Sequence, residues 1–566
     1  MPMNTGTAVR ELKIGPYAGG INQYSDISAI ADDEMVDCTN FDIDLDGSLK
    51  SRPPWRLLDG TFNTTAAGSV PPVSYQTILL TGTYNAIRFI IIQTNHTGVD
   101  GVYVYYLDGG SAGTLNLIAA GDYSTAVRYN DDVFITPALS AGLSLGTGQR
   151  HNLVTAVNTP IANMPRGYSS TVYKERMWIT GRRTSPTPSR LFFSALADFT
   201  SWPGSNFFDI NPGDGDAAQD LAVYQDNLMV FKDGATYVLS YDSNVAQAVL
   251  QVVNTDVGVV GPRCVAAYEN SIFLLQYNKV FEMVNYDFTR VSVKIPFEYD
   301  DTTPGTVEGQ AWQFKTWLRL CGDRIVVRFF NRLYVYHLRL RAWTRWVSED
   351  INIQGLGPIV ELDKTNTQTD MKLGHDRYVA TSSLLKNTDN AGNGTLGNWR
   401  RYFKMFIMDD LYEATFTENG NLTPPVTPVD IKCSLTTKTY DIGLSHRFKR
   451  LMHWGVDTIT GRTITGTIFP FSIAYSVTWT QLHAYQWSEL NTWSYPLFVI
   501  PSTSQTQPVG AGLSRRYIRF PKSLRFRLVQ FKVDMLTLGN TSDGPARIYS
   551  VTAFIGGKQL TPLAVN

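Results

Sequence analysis

The sequence has only four cysteines, no long apolar run and almost no net charge, and each absence excludes a class of protein. No two of Cys38, Cys264, Cys321 and Cys433 stand at CxxC spacing, so we expect neither a disulfide framework nor a cysteine metal site. No apolar segment approaches the roughly 20 residues of a membrane helix. The 49 basic and 50 acidic residues leave a net charge of −1, which argues against tight, static binding of DNA phosphates.

Amphipathic helical patterns are also scarce, whereas residues that favour strands and turns are frequent. Aromatic residues make up 12% of the chain, which also contains 45 Gly and 27 Pro. Aromatic and β-branched side chains favour pleated surfaces, and Gly and Pro favour turns, so we predict an all-β protein. The one helix that the sequence suggests is a short one within 30–38, capped by Asp32 or Asp33. Residues 1–12 contain no apolar stretch, so we expect no secretory signal.

The middle of the chain repeats one pattern, which is a strand end, a polar turn and an apolar strand. It occurs at 127–135, 172–179, 223–231, 267–275 and 318–327. The first four copies carry a tyrosine at intervals of 44, 51 and 44 residues, and Cys321 replaces the tyrosine in the fifth. Those tyrosines are Tyr129, Tyr173, Tyr224 and Tyr268. A repeat of this length, made of short strands, is typical of propeller blades.

Second hairpins follow the first at 231–239, 275–283 and 330–336. Two hairpins supply the four strands of one blade, so we predict a β-propeller of about six to eight blades over residues 61–415. The alternative is a run of unrelated meanders in a sandwich.

The two ends of the chain differ from this repeat. Residues 1–60 are rich in Pro and Gly and predict an extended N-terminal arm with one docking hairpin, whose strands at 41–44 and 48–52 flank an Asp46-Gly47 turn. After a Pro-rich linker, residues 416–566 lose the blade spacing. We predict a C-terminal β-sandwich or jelly-roll platform there.

Motifs for catalysis are weak, so we predict a non-enzymatic protein without cofactor, metal or catalytic residues. The G-x-S-x-G string at 142–146 and the G-x-G-x-x-G string at 392–397 lack the strand and helix contexts that such sites need. The acidic loop at 209–216 is the best metal candidate, because spaced carboxylates and glycines can curl around calcium. The same composition suits an ordinary turn.

Two basic clusters are candidates for contact with DNA or a partner protein. Arginine interleaved with aromatic residues can pair with phosphates and stack on bases. The clusters equally suit inter-subunit ion pairs or a solvated strand face. Their candidate contact residues are Arg447, Lys449, Arg450, Arg515, Arg516 and Arg519.

The most specific signal lies between residues 12 and 54. It consists of a glycine pair followed by an apolar residue, then an asparagine, a Gly turn and an Arg-Pro ending. Its residues are Gly19, Gly20, Asn40, Gly47, Arg52, Pro53 and Pro54. This order resembles the opening of the tail nozzle proteins of short-tailed bacteriophages, the tail tubular protein B family.

The resemblance implies a structural protein of the virion tail that is made in the host cytoplasm. It implies a homo-oligomeric ring, a hexamer, around the DNA exit channel, which retains DNA and then releases it during ejection. The implied partners are adjacent tail or adaptor proteins, tail fibres and, transiently and without sequence preference, double-stranded DNA. A lumen without a large positive charge suits such passage.

Two alternatives remain open from the sequence. One is a glycan-binding or glycan-cleaving propeller of the host-recognition apparatus, which requires a cleft with clustered carboxylates and arginines. The other is an intracellular propeller scaffold, which predicts a monomer with WD or kelch repeats.

Overall fold

The computed structural model describes most of the chain in strands and short connections. The described residues are 8–53, 55–57, 64–65, 77–96, 99–107, 114–138, 146–181, 187–296, 316–329, 332–347, 357–362, 377–387, 399–409, 417–418, 429–440, 449–459, 464–472, 498–499, 503–507, 513–526, 528–536 and 547–557. Within these ranges the chain is all-β, as predicted, and its only helical element is one 3₁₀ turn, Val245–Gln247. No helix there has the length and apolar character needed to cross a bilayer.

The first strands belong to the N-terminal arm. They are β1 Ala8–Ile14, β2 Gly20–Ile21, β3 Glu34–Thr39, β4 Phe41–Ile43, β5 Leu49–Ser51, β6 Trp55–Leu57 and β7 Thr64–Thr65. The hairpin predicted around Asp46-Gly47 is confirmed, since β4 pairs antiparallel with β5 and Gly47 has a φ of 76°. Tyr17 N–H donates to Gly47 O at 2.8 Å, which ties this turn to the preceding loop.

The short helix predicted within 30–38 does not form. The Glu34 carboxylate instead accepts hydrogen bonds from Asn22 Nδ2 at 2.8 Å and from Ala31 N–H at 3.0 Å. Met35 and Cys38 are fully buried in strand β3. Tertiary pairing of this segment therefore outweighs the local capping preference of its aspartates.

Six consecutive groups of four strands follow, and each is an antiparallel meander. Their bounds are β8 Thr77–Tyr84, β9 Ile87–His96, β10 Val99–Tyr106, β11 Leu115–Ala120; β12 Tyr123–Tyr129, β13 Asp132–Pro137, β14 Gly148–Asn152, β15 Asn158–Ile161; β16 Ser169–Tyr173, β17 Arg176–Thr180, β18 Arg190–Phe193, β19 Phe207–Asp209; β20 Ala218–Tyr224, β21 Asn227–Lys232, β22 Thr236–Ser240, β23 Val249–Asn254; β24 Val265–Tyr268, β25 Ser271–Gln276, β26 Lys279–Val284, β27 Asp287–Arg290; and β28 Thr316–Cys321, β29 Arg324–Phe329, β30 Arg332–His337, β31 Ala342–Trp346. All the hairpins predicted from the repeat are confirmed in this part of the chain.

The remaining strands begin with β32. They are β32 Val360–Leu362, β33 Arg377–Asn387, β34 Trp399–Asp409, β35 Thr417–Glu418, β36 Val429–Asp430, β37 Lys432–Thr437, β38 Lys449–Ile459, β39 Ile464–Ser472, β40 Phe498–Val499, β41 Thr503–Gln507, β42 Leu513–Phe526, β43 Leu528–Leu536 and β44 Arg547–Gly557. A seventh sheet has the order β32-β33-β34-β6, with β7 also paired to β34. Strands β6 and β7, which both pair with β34, precede the first of the repeating sheets in the chain.

The first strands of the seven groups lie side by side in one sequence of neighbours. Strand β8 contacts β12, and the contacts continue through β16, β20, β24, β28 and β32. Strand β32 in turn contacts β8, so the series of neighbours closes on itself.

Two larger sheets join the arm to the rest of the molecule. One contains β28-β29-β30-β31-β3-β37-β43-β39-β40, and the other contains β4-β5-β44-β38-β42, with β1 paired to β44. The boundaries predicted at 60 and 416 stay a prediction, but strands from both sides of each boundary share a sheet. All four cysteines are buried, and none of them forms a disulfide within the described residues.

The recurring tyrosines connect consecutive sheets. Tyr173 Oη on β16 donates to Asp226 O at 2.9 Å, in the turn after β20. Tyr224 Oη on β20 donates in the same way to Asn270 O at 2.8 Å, in the turn after β24. In these two repeats the hydroxyl thus satisfies a carbonyl that the tight turn leaves without a ladder partner.

We expect Tyr224→Phe to destabilise the chain by about 1–3 kcal/mol, because it removes a buried bond and leaves the turn carbonyl unsatisfied. Tyr224 Oη also accepts from Asn285 N–H at 3.0 Å, so two turns lose a partner. Amide exchange of β24–β27 measures the effect. Tyr277→Phe, at an exposed position, is the matched control, and equal exchange in both variants would argue against the role assigned to Tyr224.

Candidate functional site

The asparagine of the N-terminal motif stands at a buried junction of three segments. Asn40 Nδ2 donates to Lys432 O at 2.7 Å, and its Oδ1 accepts from Val347 N–H at 2.7 Å and from Arg52 Nε at 2.9 Å. Its φ is 60°, a left-handed conformation that asparagine tolerates better than most residues. One side chain thus links the arm, the segment after β31 and strand β37.

Arg52 completes this junction from the other side. Its guanidinium is 1% exposed and donates to Pro53 O and to Val347 O, each at 3.0 Å. The backbone N–H of Arg52 donates to Asn40 O at 2.9 Å. We call Asn40, Arg52 and these partners the arm junction.

The glycines of the motif lie where a side chain does not fit. A Cβ on Gly20, which has a φ of 69°, would lie 2.7 Å from both N and O of Trp343. Gly19 N–H donates to Asp33 O at 3.1 Å. A Cβ on Gly47 would meet Pro16 Cβ at 2.5 Å. The motif residues therefore set close backbone approaches inside the chain, and Pro54 lies outside the described residues.

The two basic clusters are brought onto neighbouring strands. Strand β38 pairs antiparallel with β42, which opposes Arg450 to Arg525, His453 to Arg519 and Asp457 to Arg515. Lys449 and Arg516 also lie in this register, opposite Phe526 and Val456. Arg447 lies outside the described residues.

The acidic loop at 209–216 folds around a lysine ammonium. Lys232 is 0% exposed, and its Nζ donates to both carboxylate oxygens of Asp214, at 2.6 and 2.5 Å. It also donates to Ile210 O at 3.1 Å and to Asn211 O at 3.4 Å. Lys232 therefore supplies a positive charge where the sequence suggested a calcium ion. In the described part of the chain no group of three or more His, Cys, Asp or Glu side chains is placed to hold a metal.

A further polar group, which the sequence analysis did not single out, joins the first strands of the repeating sheets. Asp220 on β20 is buried and accepts from Ser169 Oγ at 2.6 Å, Leu221 N–H at 3.0 Å and Cys264 N–H at 3.2 Å. Burial raises the pKa of Asp220, although the Ser169 hydrogen bond and the charge of Arg319 oppose the rise.

Arg263 extends this polar group to strands β8 and β12. Its Nη1 donates to Thr77 Oγ1 at 2.7 Å and its Nη2 donates to Ser124 O, while Leu318 N–H donates to Arg263 O at 3.0 Å. We call Thr77, Ser124, Ser169, Asp220 and Arg263 the central polar cluster. It connects strands β8, β12, β16, β20, β24 and β28.

A sequence signal for this cluster exists in hindsight. Small or polar residues stand within the first three positions of five of these first strands, at Thr77, Ser124, Ser169, Asp220 and Thr316. The strings at 142–145 and 392–397, by contrast, lie outside the described residues.

Comparisons with known proteins assign no family. No protein-family model matches the chain, and no curated protein matches it. Among solved structures, a computationally designed protein, Ika8, aligns with 57% of this chain and 83% of its own at 9% identity and a TM-score of 0.31. The AfRom2 CNH domain aligns with 60% of this chain and 98% of its own at 8% identity and a TM-score of 0.35. At these TM-scores neither likeness carries an argument about this chain.

Proposed function

We propose that the seven sheets form a seven-bladed β-propeller whose last blade is completed by β6 of the arm. The closed series of neighbours from β8 to β32 and back supports this arrangement. The position of β6 beside β34 supports it as well. A strand from before the first blade then completes the last blade and closes the ring.

We further propose that the chain is a structural tail protein of a bacteriophage, one copy in a ring around the DNA exit channel. The observation that carries this proposal is the arm junction. Three of the residues that resemble the opening of tail nozzle proteins, Asn40, Arg52 and Pro53, contact one another, and Asn40 and Arg52 are buried there. Motif residues that contact one another are stronger evidence of a common architecture than scattered matches are.

In this proposal the sheet β4-β5-β44-β38-β42 belongs to the platform beside the propeller. The described residues of both basic clusters lie on β38 and β42, so we assign contact with DNA or a neighbouring tail protein to these two strands. The net charge of −1 suits a ring that DNA passes through.

We expect the purified full-length chain to form closed rings of about six subunits with an open centre. Native mass spectrometry gives the number of subunits, and negative-stain electron microscopy shows whether the ring is closed. Antibodies against the chain are expected to label the distal tail of purified virions. A protein that stays monomeric at every concentration and is absent from virions would overturn the proposal.

A further inference from the structure

Arg319 lies on strand β28 beside the central polar cluster. The residue is half-buried. Its Nε is buried and has no hydrogen-bond partner in the structure as described. A buried guanidinium nitrogen without a hydrogen-bond partner is costly, because a buried polar group needs an acceptor.

The charges around Arg319 do not balance. Arg263 is its neighbour through the bond between Leu318 N–H and Arg263 O, and the two like charges interact. Among the residues that the structure describes, Asp220 is the carboxylate that interacts with both. Two arginines against one carboxylate leave an excess of one positive charge.

The hydrogen bonds of Asp220 and Arg263 do not neutralise this excess positive charge. The oxygens of Asp220 are taken by a hydroxyl and two backbone N–H groups. The Nη groups of Arg263 donate to a hydroxyl and a carbonyl, which are neutral acceptors. Burial lowers the pKa of Arg263 to about 10, and the charge of Arg319 adds to this effect. Burial lowers the pKa of Arg319 as well.

We infer that Arg319 and Arg263 form a binding site for a small oxyanion such as phosphate between the first strands of the repeating sheets. A guanidinium presents several N–H groups in a planar fork that matches two oxygens of one anion. One bound oxyanion would supply the missing partner of Arg319 and offset the excess charge beside Asp220. This site is independent of the ring and DNA functions proposed above.

The test titrates inorganic phosphate into the full-length protein by isothermal calorimetry, in chloride buffer of constant ionic strength. We expect saturable binding with one site per chain. Arg319→Gln is expected to weaken it by about tenfold to a hundredfold, since bonds to charged groups are the strong ones. Arg341→Gln is the matched control, because it removes the same charge from a residue whose side chain is 71% exposed, and it is expected to bind phosphate as the wild type does.

Thermal unfolding provides the second readout. Without phosphate, Arg319→Gln is expected to melt at or above the temperature of the wild type, and phosphate is expected to raise the midpoints of the wild type and of Arg341→Gln more than the midpoint of Arg319→Gln. If Arg319→Gln does not fold, Arg319→Lys replaces it, and we expect severalfold weaker binding because lysine lacks the fork. No phosphate binding by the wild type, or an equal loss in the Arg319 and Arg341 variants, would overturn the inference.

Discussion

Replacing Asn40 by alanine is expected to destabilise the folded chain by about 3–5 kcal/mol. The change removes three side-chain hydrogen bonds, to Lys432 O, Val347 N–H and Arg52 Nε. It leaves the fully buried Arg52 guanidinium without one acceptor. It also places an alanine at a φ of 60°, which L residues other than asparagine and aspartate seldom adopt. The denaturant midpoint and the exchange of the Val347 amide measure the loss.

Two further variants separate the backbone contribution from the hydrogen bonds. Asn40→Gly relieves the strain at positive φ but loses the same three bonds, so we expect it to recover only about 1 kcal/mol. Asn85→Ala places alanine at a φ of 47° in an exposed turn, and we expect a loss of about 1 kcal/mol there. If Asn40→Ala is no more harmful than Asn85→Ala, the arm junction does not hold the three segments together.

The repeating hairpins could be predicted from sequence because their signal is local. Each turn joins two strands that are adjacent in the chain, and its polar residues accept positive φ, as at Asn130, Gln225 and Asp226. The apolar strand that follows is buried, as in β25, where every residue is buried. Turn chemistry and strand pattern thus agree within about ten residues.

The placement of the arm could not be predicted, because its partners are hundreds of residues away. Strand β3 pairs with β31 and with β37, and Asn40 and Lys432 are 392 positions apart. Local preferences in 30–38 favoured a helix, and only the distant partners select a strand. The motif itself was recognisable in sequence, but its role as a junction depends on those distant contacts.

The central polar cluster illustrates the same limit for a site. Its members come from several sheets, and each is unremarkable alone, such as a serine at the start of β16 or an aspartate within β20. Only the side-by-side arrangement of the first strands makes them neighbours. The acidic loop was noticed in the sequence, but the cation that occupies it, Lys232, lies 16 residues beyond Asp216 on β21.

Lys232→Met is the second substitution with a large expected effect, a loss of about 3–5 kcal/mol at neutral pH. Methionine has nearly the length of lysine, so the cavity is small, but the Asp214 carboxylate loses its ammonium partner. The carbonyls of Ile210 and Asn211 lose a donor as well. Native-state hydrogen exchange of β20–β23 measures the loss locally. Lys279→Met, at an exposed position on β26, is the control and is expected to change stability by less than about 0.5 kcal/mol.

The pH dependence of the stability difference between the wild type and Lys232→Met shows whether the charge of Lys232 causes that difference. Burial tends to raise the pKa of Asp214, but the hydrogen bonds and charge of Lys232 outweigh burial and lower it from 3.8. A carboxyl whose pKa is lowered by folding stabilises the folded state above its unfolded pKa, and this contribution disappears as the pH falls through the folded pKa. The difference in the free energy of unfolding between the wild type and Lys232→Met is therefore expected to stay constant from neutral pH down to the ordinary aspartate range. It is expected to become smaller in stronger acid. A gap that does not change with pH would mean that the methionine disrupts packing alone, and that the charge of Lys232 does not hold the loop at 209–216.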